Sequence, residues 1–282
     1  MNKLYLSHYD LNMTLLGGQS FAWDFEDGCY FGFTRNKAIK LKMDVETCHS
    51  KSLLYWQTYP EKDDFNFLKK YLRLDVDYPT IMKKIQKDNH IKSAIKTYPN
   101  LRLLKQDFEE TLLSFLVSAN NNIRSIRKII RSMNRKFGKS LNVDGKKIFL
   151  FPKAEVIAEA KLEDLLDCKL GFRAKYLTGA AKYVLKNDLS KKIEKMSETN
   201  ARNTLLKING VGEKIADCVL VFGLGFDNVT PLDVWGKRAF IRFYKLNPKM
   251  KYDDMRDWIS DYFEGYSAWA GQFLYEYIRT TG

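Results

Sequence analysis

The segment at residues 203–240 constrains the fold of this chain more than any other. An apolar run ending at Ile208 is followed by Asn209-Gly210-Val211-Gly212, a turn whose backbone freedom glycine supplies. Helical periodicity resumes over residues 213–224. The pattern predicts a helix, a tight turn and a second helix. The N–H groups and positive dipole at the start of that second helix favour an anion, such as a DNA phosphate.

Two chemically active side chains follow this turn. Lys214 lies at the start of the second helix, and Asp233 follows Pro231 where it can cap a further helix. A neutral lysine amine can act as a nucleophile and form a Schiff base, and a carboxylate can stabilise positive charge that develops in a reaction. The alternatives are a solvated lysine that contacts phosphate and a plain helix cap, although Asp233 can serve as both cap and catalyst.

The segment resembles the helix-hairpin-helix and Gly/Pro-Asp signature of a DNA glycosylase superfamily. In that superfamily a lysine and an aspartate hold the places of Lys214 and Asp233, so the resemblance implies that both are catalytic. It implies DNA contacts from the turn residues, Gly210, Val211 and Gly212. It also implies a monovalent cation on hairpin carbonyls, those of Leu206, Ile208 and Val211.

The charge balance favours a polyanionic partner. The formal net charge is +13 over 282 residues and the isoelectric point is near 9.4, although a lysine-rich proteome would give a similar balance. The mean hydropathy of −0.38 and the lack of an apolar run of about 18 residues argue against a membrane span. Residues 1–11 show no signal-peptide pattern, so we expect a cytoplasmic, nucleoid-associated monomer.

The cysteines and histidines argue against several cofactor classes. The cysteine spacings match neither a zinc site nor an iron–sulfur cluster, so we expect free thiols, a reducing compartment and no cofactor beyond the hairpin cation. The scattered histidines argue against a hydrolytic zinc site or a serine–histidine site. These residues are Cys29, Cys48, Cys168, Cys218, His8, His49 and His90.

Residues 1–60 contain short aromatic and alternating runs, broken by Asp27-Gly28 and Arg35-Asn36, which predict an antiparallel sheet.

Residues 17–23 read GGQSFAW, by composition a glycine-rich turn that feeds a strand. The segment also resembles the GQSFxW segment of 8-oxoguanine DNA glycosylases, in which the glycine carbonyl accepts a hydrogen bond from N7–H of the oxidised base. Gly18 holds that position. Guanine lacks this N–H, a contrast of roughly a few kcal/mol.

Residues 107–133 predict a long helical region that three asparagines at 120–122 interrupt. By themselves the asparagines predict a polar loop. Residues 103–123 also resemble the 8-oxoguanine family, which implies that Asn120 helps fill the space left by the expelled base. Arg124 belongs to the basic face that follows. Animal members carry an arginine at the position of Ser125 that recognises the opposite cytosine, so we expect a weaker cytosine preference here.

Two further segments resemble the same family. Residues 170–176, LGFRAKY, resemble its GLGYRARY segment, which implies that Phe172 wedges into the duplex and that Arg173 contacts the unpaired base. Core packing is the alternative for Phe172. Residues 268–275 resemble its last helix, which implies that Tyr275 stacks on the flipped base. Cys218, one helical turn after Lys214, would form the other side of this sandwich, or would be a small buried hydrophobe.

Three positions depart from the family pattern around the base. The glutamine that reads the Watson–Crick edge falls on Gly271 by strict register, and Gln272 is the next residue. Trp235 replaces a histidine, and Phe222 replaces a pocket methionine. These residues remain the expected substrate contacts.

Together the segments predict an α+β fold. A TBP-like N-terminal antiparallel sheet domain spans residues 1–105, and a helix-hairpin-helix domain of two mainly α-helical subdomains spans residues 106–282 with the active-site cleft between them. The predicted activity is excision of 8-oxoguanine from duplex DNA with Schiff-base lyase activity. The alternatives are a glycosylase for an alkylated purine, in whose branch the lysine is usually missing, and a non-catalytic helix-hairpin-helix DNA-binding protein.

Overall fold

The N-terminal region is built on an antiparallel sheet. The computed structural model describes residues 1–7, 9–45 and 51–281, so His8, Cys48 and His49 lie outside the described residues. The sheet has five strands in the order β1-β5-β4-β3-β2. Their bounds are β1 Asn2–Ser7, β2 Trp23–Glu26, β3 Cys29–Phe33, β4 Ala38–Val45 and β5 Lys51–Tyr59.

The two predicted turns form the ends of the hairpins in this sheet. Asp27 and Gly28, with φ of 50° and 73°, join β2 to β3, and Glu26 pairs with Cys29 directly across the turn. Arg35 and Asn36 lie between β3 and β4, which are paired from Phe33 with Ala38 onward. The predicted antiparallel sheet is therefore confirmed, with one short helix, α1 Leu11–Leu16, inserted before β2.

Helices form the rest of the described chain, apart from one small hairpin. The first group comprises α2 Phe65–Tyr71, α3 Tyr78–Ile85, α4 Asn89–Thr97, α5 Phe108–Val117 and α6 Ile123–Phe137. The hairpin β6 Ser140–Val143 and β7 Lys146–Phe149 follows. The second group comprises α7 Ala154–Glu159, α8 Leu162–Asp167, α9 Arg173–Lys186, α10 Leu189–Lys192 and α11 Glu198–Leu205. The last group comprises α12 Glu213–Val219, α13 Val234–Tyr244, α14 Tyr252–Tyr262 and α15 Ser267–Thr281.

The helix boundaries follow the capping residues in the sequence. Asp107 caps α5 by accepting the Glu110 N–H at 3.0 Å, and Asn122 caps α6 by accepting the Ser125 N–H at 2.9 Å. The break predicted at the asparagines therefore lies between α5 and α6. The predicted helix after the hairpin turn is α12, which continues through a wider π-helical turn, Leu220–Leu224.

The C-terminal helix joins the two halves of the molecule. α15 packs against α13 of the helical region and against α3 and α4, which follow the sheet. Trp269 and Phe273 on this helix are each 1% exposed, so its aromatic residues belong to the shared core as well as to the cleft. The α+β class with a helix-hairpin-helix is confirmed. The domain boundary at residues 105/106 stays a prediction.

No helix within the described ranges is long and apolar enough to cross a membrane.

Candidate active site

A cavity of about 350 Å³ opens between the glycine turn before β2, the asparagine loop, α12 and α15. Its volume lies in the range of small-molecule pockets, about 300 to 1,000 Å³. All of the catalytic and base-contact residues expected from the sequence line it: Gly18, Lys214, Cys218, Phe222, Asp233, Trp235, Gln272 and Tyr275. The cavity also has lining residues that the sequence did not single out, among them Phe115, Ser118, Thr230 and Arg279.

Lys214 extends from the first turn of α12 into this cavity. Its amine donates a hydrogen bond to the Ser118 hydroxyl at 3.3 Å and lies 5.1 Å from the centre of the Phe115 ring. Ser118 is the C-terminal cap of α5, so packing of α5 on α12 holds the lysine in place. Nothing in the periodicity of the sequence marks Ser118 as a partner.

Asp233 faces the same cavity from the N-terminus of α13. Its Oδ1 accepts the Gly236 N–H at 2.8 Å, which is the predicted cap. Capping uses one carboxylate oxygen, and the second remains for another contact. Among the ion pairs within 4.0 Å that the described residues form, none joins Lys214 to Asp233. The two groups therefore share a cavity without neutralising each other directly.

Cys218 and Tyr275, which the resemblance assigns to the two sides of the base, both line the cavity, and their sandwich role stays a prediction. Burial raises the pKa of the Cys218 thiol to about 12, and the neighbouring Lys214 amine opposes that rise. Cys218 therefore stays a neutral thiol at physiological pH. Burial likewise raises the pKa of the Tyr275 phenol, with Asp233 adding to the rise. Both side chains present neutral surface to the cavity, which suits contact with the faces of an aromatic base.

Gly18 allows the glycine turn to approach the cavity closely. Its φ of +104° is a conformation that side-chain-bearing residues rarely adopt. A Cβ atom at this position would lie 2.9 Å from the Ile123 Cδ1 atom and 3.7 Å from the Tyr275 hydroxyl. A side chain at position 18 would therefore strain the backbone and fill the edge of the cavity.

Gln272 and Gly271 both line the cavity, and only Gln272 brings an amide to it. Gly271 packs against Thr230, where an added Cβ atom would lie 2.6 Å from the threonine Cγ2 atom. A glutamine at 271 would need the Thr230 segment to move. Phe222 stacks on Phe115 with ring centres 5.7 Å apart, and so it forms part of the cavity's apolar wall.

The expected DNA contacts lie on the rim rather than inside. Phe172 is 54% exposed, so the structure does not support the core alternative for this residue. Asn120 is exposed with a φ of 48°, and Arg124 is exposed at the cavity mouth. The Arg173 guanidinium donates to the carbonyls of Ala119 (2.7 Å) and Asn120 (3.0 Å). Arg173 therefore ties the asparagine loop to the Phe172 loop in this structure.

The hairpin turn lies against α9. Gly210 has a φ of +89°, and a Cβ atom there would lie 2.6 Å from the Tyr176 ring. Gly212 caps α12 with no side-chain hydrogen bond. The Ile208 carbonyl accepts the Val211 N–H at 3.0 Å, which uses one of its lone pairs. The cation site at the carbonyls of Leu206, Ile208 and Val211 stays a prediction. Within the described ranges, no three His, Cys, Asp or Glu side chains are grouped to hold a metal ion.

Comparisons with protein families match nearly the whole chain. Residues 3–112 match the model described as "8-oxoguanine DNA glycosylase, N-terminal domain". Residues 113–264 match "HhH-GPD superfamily base excision DNA repair protein". The N-glycosylase/DNA lyase of Saccharomyces cerevisiae is 32% identical over 64% of this chain, and the match spans about half, 51%, of the yeast protein.

Solved structures give the same result over a longer span. The structure titled "MBOgg1 in complex with low affinity DNA ligand" has a TM-score of 0.89 and 31% identity, covering 99% of this chain and 96% of that one. The 8-oxoguanine glycosylase/lyase of Clostridium acetobutylicum, in complex with DNA containing cytosine opposite 8-oxoguanine, has a TM-score of 0.87 and 29% identity over 98% of this chain and 93% of that one. The chain therefore belongs to the HhH-GPD superfamily of base excision DNA repair proteins and, within it, to the 8-oxoguanine DNA glycosylase/lyase family.

Proposed function

We propose that this chain turns 8-oxoguanine out of duplex DNA, removes the base and then cleaves the strand through a Schiff base on Lys214. The observation that carries the proposal is that the Lys214 amine and the Asp233 carboxylate open on one cavity without a direct ion pair between them. Family membership supports the same chemistry. The basic chain, with a net charge of +13, suits a duplex DNA partner.

The reaction begins with extrusion of the nucleotide, because a stacked base hides its glycosidic bond. We propose that Asn120 and Phe172 fill the space that the extruded base leaves in the duplex. We propose that Arg173 contacts the orphaned base once its guanidinium has released the Ala119 and Asn120 carbonyls. Exposure of Phe172 on the rim supports this assignment. The backbone of residues 210–212 and Arg124 are assigned to the DNA phosphates and the groove.

The base then lies between Cys218 and Tyr275. Gly18 accepts N7–H of the lesion through its carbonyl, Gln272 faces the Watson–Crick edge, and Phe222 and Trp235 complete the wall. As the bond from C1′ to the base nitrogen breaks, Asp233 stabilises the positive charge on the sugar. The Lys214 amine bonds to C1′ as the base leaves. The C1′–O4′ bond then breaks, O4′ takes up a proton and becomes a hydroxyl, and the nitrogen loses its protons as the imine forms. Loss of a C2′ proton then expels the 3′ phosphate and cleaves the strand.

Borohydride trapping on an 8-oxoguanine duplex tests the proposal. The wild type should form a covalent adduct that Lys214→Gln abolishes, because an amide cannot form the imine, while duplex binding is largely retained. Lys182→Gln, at an exposed position on α9, is the matched control and should trap like the wild type. An adduct that persists in Lys214→Gln would overturn the assignment of the nucleophile. Duplex binding without base release would favour the non-catalytic alternative, and release of alkylated purines alone would favour the other glycosylase.

Opposite-base preference is a separate prediction. Ser125 holds the place of the cytosine-recognising arginine, and its backbone N–H is used to cap α6. We expect excision rates opposite the four bases to differ less than in the arginine-bearing relatives. Single-turnover assays on the four duplexes measure this, and an equally steep preference for cytosine would contradict it. A monomer acting on nucleoid DNA in the cytoplasm stays a prediction.

A further inference from the structure

A buried carboxylate that the proposed chemistry does not use lies behind the base-recognition side of the cavity. Glu276 is 2% exposed on α15, one turn after Gln272 and one turn before Arg279. Gln272 itself is 8% exposed and lines the cavity, whereas Glu276 does not reach it. Glu276 therefore acts on any bound base through a neighbour.

Two hydrogen bonds join this carboxylate to neighbouring side chains, and a third continues from one of those side chains to the backbone. The Gln272 side-chain Nε2 donates to Glu276 Oε1 at 3.1 Å, and Arg279 Nη1 donates to Glu276 Oε2 at 3.0 Å. Arg279 Nη1 also donates to the Gly17 carbonyl at 3.1 Å. The chain of contacts therefore runs from the amide at the cavity wall to the glycine turn that contains Gly18.

The chemistry of an ionised carboxylate decides how the amide is turned. A carboxylate can only accept hydrogen bonds, so it holds the NH₂ end of Gln272. The amide carbonyl oxygen then points away from Glu276. We propose that Glu276 is a positioning residue that fixes Gln272 with its carbonyl oxygen toward the cavity, so that the site selects bases whose Watson–Crick edge donates N–H groups.

This inference rests on the proposed function, since it concerns how that site reads its base. The Watson–Crick edge of 8-oxoguanine carries the donors N1–H and the 2-amino group side by side. A carbonyl oxygen accepts from such donors, while an NH₂ group in the same place would face them unpaired. Glu276 thus determines which edge is accepted without touching the base.

Gly17 fits closely against the same carboxylate. A Cβ atom at this position would lie 2.8 Å from Glu276 Oε1 and 2.4 Å from the Met13 carbonyl oxygen. The turn that presents Gly18 and the helix that presents Gln272 are therefore joined at Glu276 and Arg279. The distance between the Gly18 carbonyl and the Gln272 amide, which are assigned to separate edges of the base, is therefore fixed by these contacts.

Two lesions that differ only at the edge in question provide the test. 8-Oxoadenine shares N7–H and the C8 carbonyl with 8-oxoguanine, but its Watson–Crick edge has an acceptor at N1 and a single amino group. The measurement is the ratio of single-turnover excision rates, 8-oxoguanine over 8-oxoadenine, at about pH 8. In Glu276→Gln the new amide can donate as well as accept, so Gln272 can turn over. We expect the ratio to fall roughly tenfold.

A double-mutant cycle separates positioning from a general structural effect. Glu276→Gln should have no further effect on the ratio once Gln272→Leu is present, because the amide through which it acts is gone. Glu264→Gln, an exposed residue paired with Lys87 on the surface, is the matched control and should leave the ratio unchanged. Thermal unfolding and binding to undamaged duplex report whether each variant is folded.

The pH dependence of the same ratio gives a second readout. Burial raises the pKa of Glu276 to about 7, with Asp233 at the start of α13 adding to the rise and Arg279 opposing it. Protonated Glu276 can donate to the Gln272 oxygen. The wild-type ratio should therefore fall as the pH drops below about 7, while that of Glu276→Gln stays flat.

The outcomes separate the two hypotheses. A wild type that excises 8-oxoguanine, combined with a ratio that Glu276→Gln leaves unchanged, overturns this inference alone. A wild type with no excision of 8-oxoguanine overturns the proposed function, and this inference with it. A Glu276→Gln effect that persists in the Gln272→Leu background would show that the residue acts by some route other than the amide.

Discussion

A buried carboxylate lies behind each side of the cavity, and the two carboxylates differ in the number of cationic side chains that pair with them. We define the catalytic wall as the hairpin helix α12 with residues 231–233, and the recognition wall as α15 with the Gly17-Gly18 turn. Asp217 supports the first and Glu276 the second; they are 0% and 2% exposed. Neither residue lines the cavity, so we expect each to act through the residues that it contacts.

Within the described ranges, the Asp217 carboxylate has three partners, which come from α11 and α14. Arg202 Nε donates to its Oδ1 at 3.0 Å, and Arg256 lies 3.4 Å from its Oδ2. Tyr252 donates its hydroxyl to Oδ2 at 2.8 Å and accepts the Leu232 N–H at 3.2 Å. Because Leu232 precedes Asp233, this network fixes the backbone that carries the proposed catalytic carboxylate.

Glu276 has one cation and one amide on the recognition wall. Arg279 is its one guanidinium partner in the part of the chain that the structure describes, and the Arg279 side chain is 30% exposed. Burial raises the pKa of Asp217 to about 6, with Arg256 and Arg202 opposing that rise, so the charge pairs behind the proposed reacting carboxylate weaken only at acidic pH. In our proposal, base reading relies on Glu276, which accepts hydrogen bonds when ionised and can also donate one when protonated near pH 7. The predictions below test this difference.

The largest effect should come from Asp233→Asn. Removing the charge that stabilises the sugar cation should slow single-turnover excision roughly 100- to 1,000-fold. Asparagine caps helices about as well as aspartate, so the melting temperature should change little. The 8-oxoguanine to 8-oxoadenine ratio should also stay constant, because the recognition wall is untouched. A shifted ratio would show that the two walls are not independent.

Asp217→Asn should cost more stability than any substitution on the recognition wall. It leaves two largely buried guanidinium groups without their shared counter-charge, and we expect a loss of about 3 kcal/mol in the free energy of unfolding. Urea denaturation measures it, with the exposed Asp261→Asn on α14 as the matched control. If Asp217→Asn lowered the free energy of unfolding less than Glu276→Gln, the catalytic wall would not be the more firmly held of the two.

The contribution of Glu276 to the free energy of unfolding should depend on pH. Its folded-state pKa of about 7 lies above the ordinary value of 4.5, so the folded protein favours the neutral acid. The wild type should therefore lose about 3 kcal/mol relative to Glu276→Gln as the pH rises between these two values. Denaturation of both proteins at several pH values measures the difference. Parallel curves would mean that Glu276 is ionised normally.

The smallest effect should come from Tyr252→Phe. It removes the hydroxyl that joins the Leu232 N–H to Asp217, and the lost bonds should lower stability by about 1 kcal/mol. Excision should slow a few-fold as the Asp233 loop loosens, with the lesion ratio unchanged. Unchanged excision combined with the stability loss would limit Asp217 and Tyr252 to a structural role.

Local signals in the sequence predicted much of the fold and the members of the cavity. Turns at Asp27-Gly28 and 209–212, and the cap at Asp233, depend on neighbours within a few residues, and the structure confirms them. The short helix α1 was not predicted because six residues carry little periodicity. The π-helical turn Leu220–Leu224 was missed because its apolar sequence suits either helix type.

The sequence by itself determined which chemical groups this protein has and which local turns present them: an amine after a hairpin, a carboxylate at a helix start and a glycine in a tight turn. Only the tertiary structure decided that Gln272 rather than Gly271 brings an amide to the cavity, and that Ser118 contacts Lys214. It also decided that Arg279 reaches Gly17, 262 residues away. Such contacts depend on how α5, α12 and α15 pack, and packing distances between remote segments are not written in any local pattern.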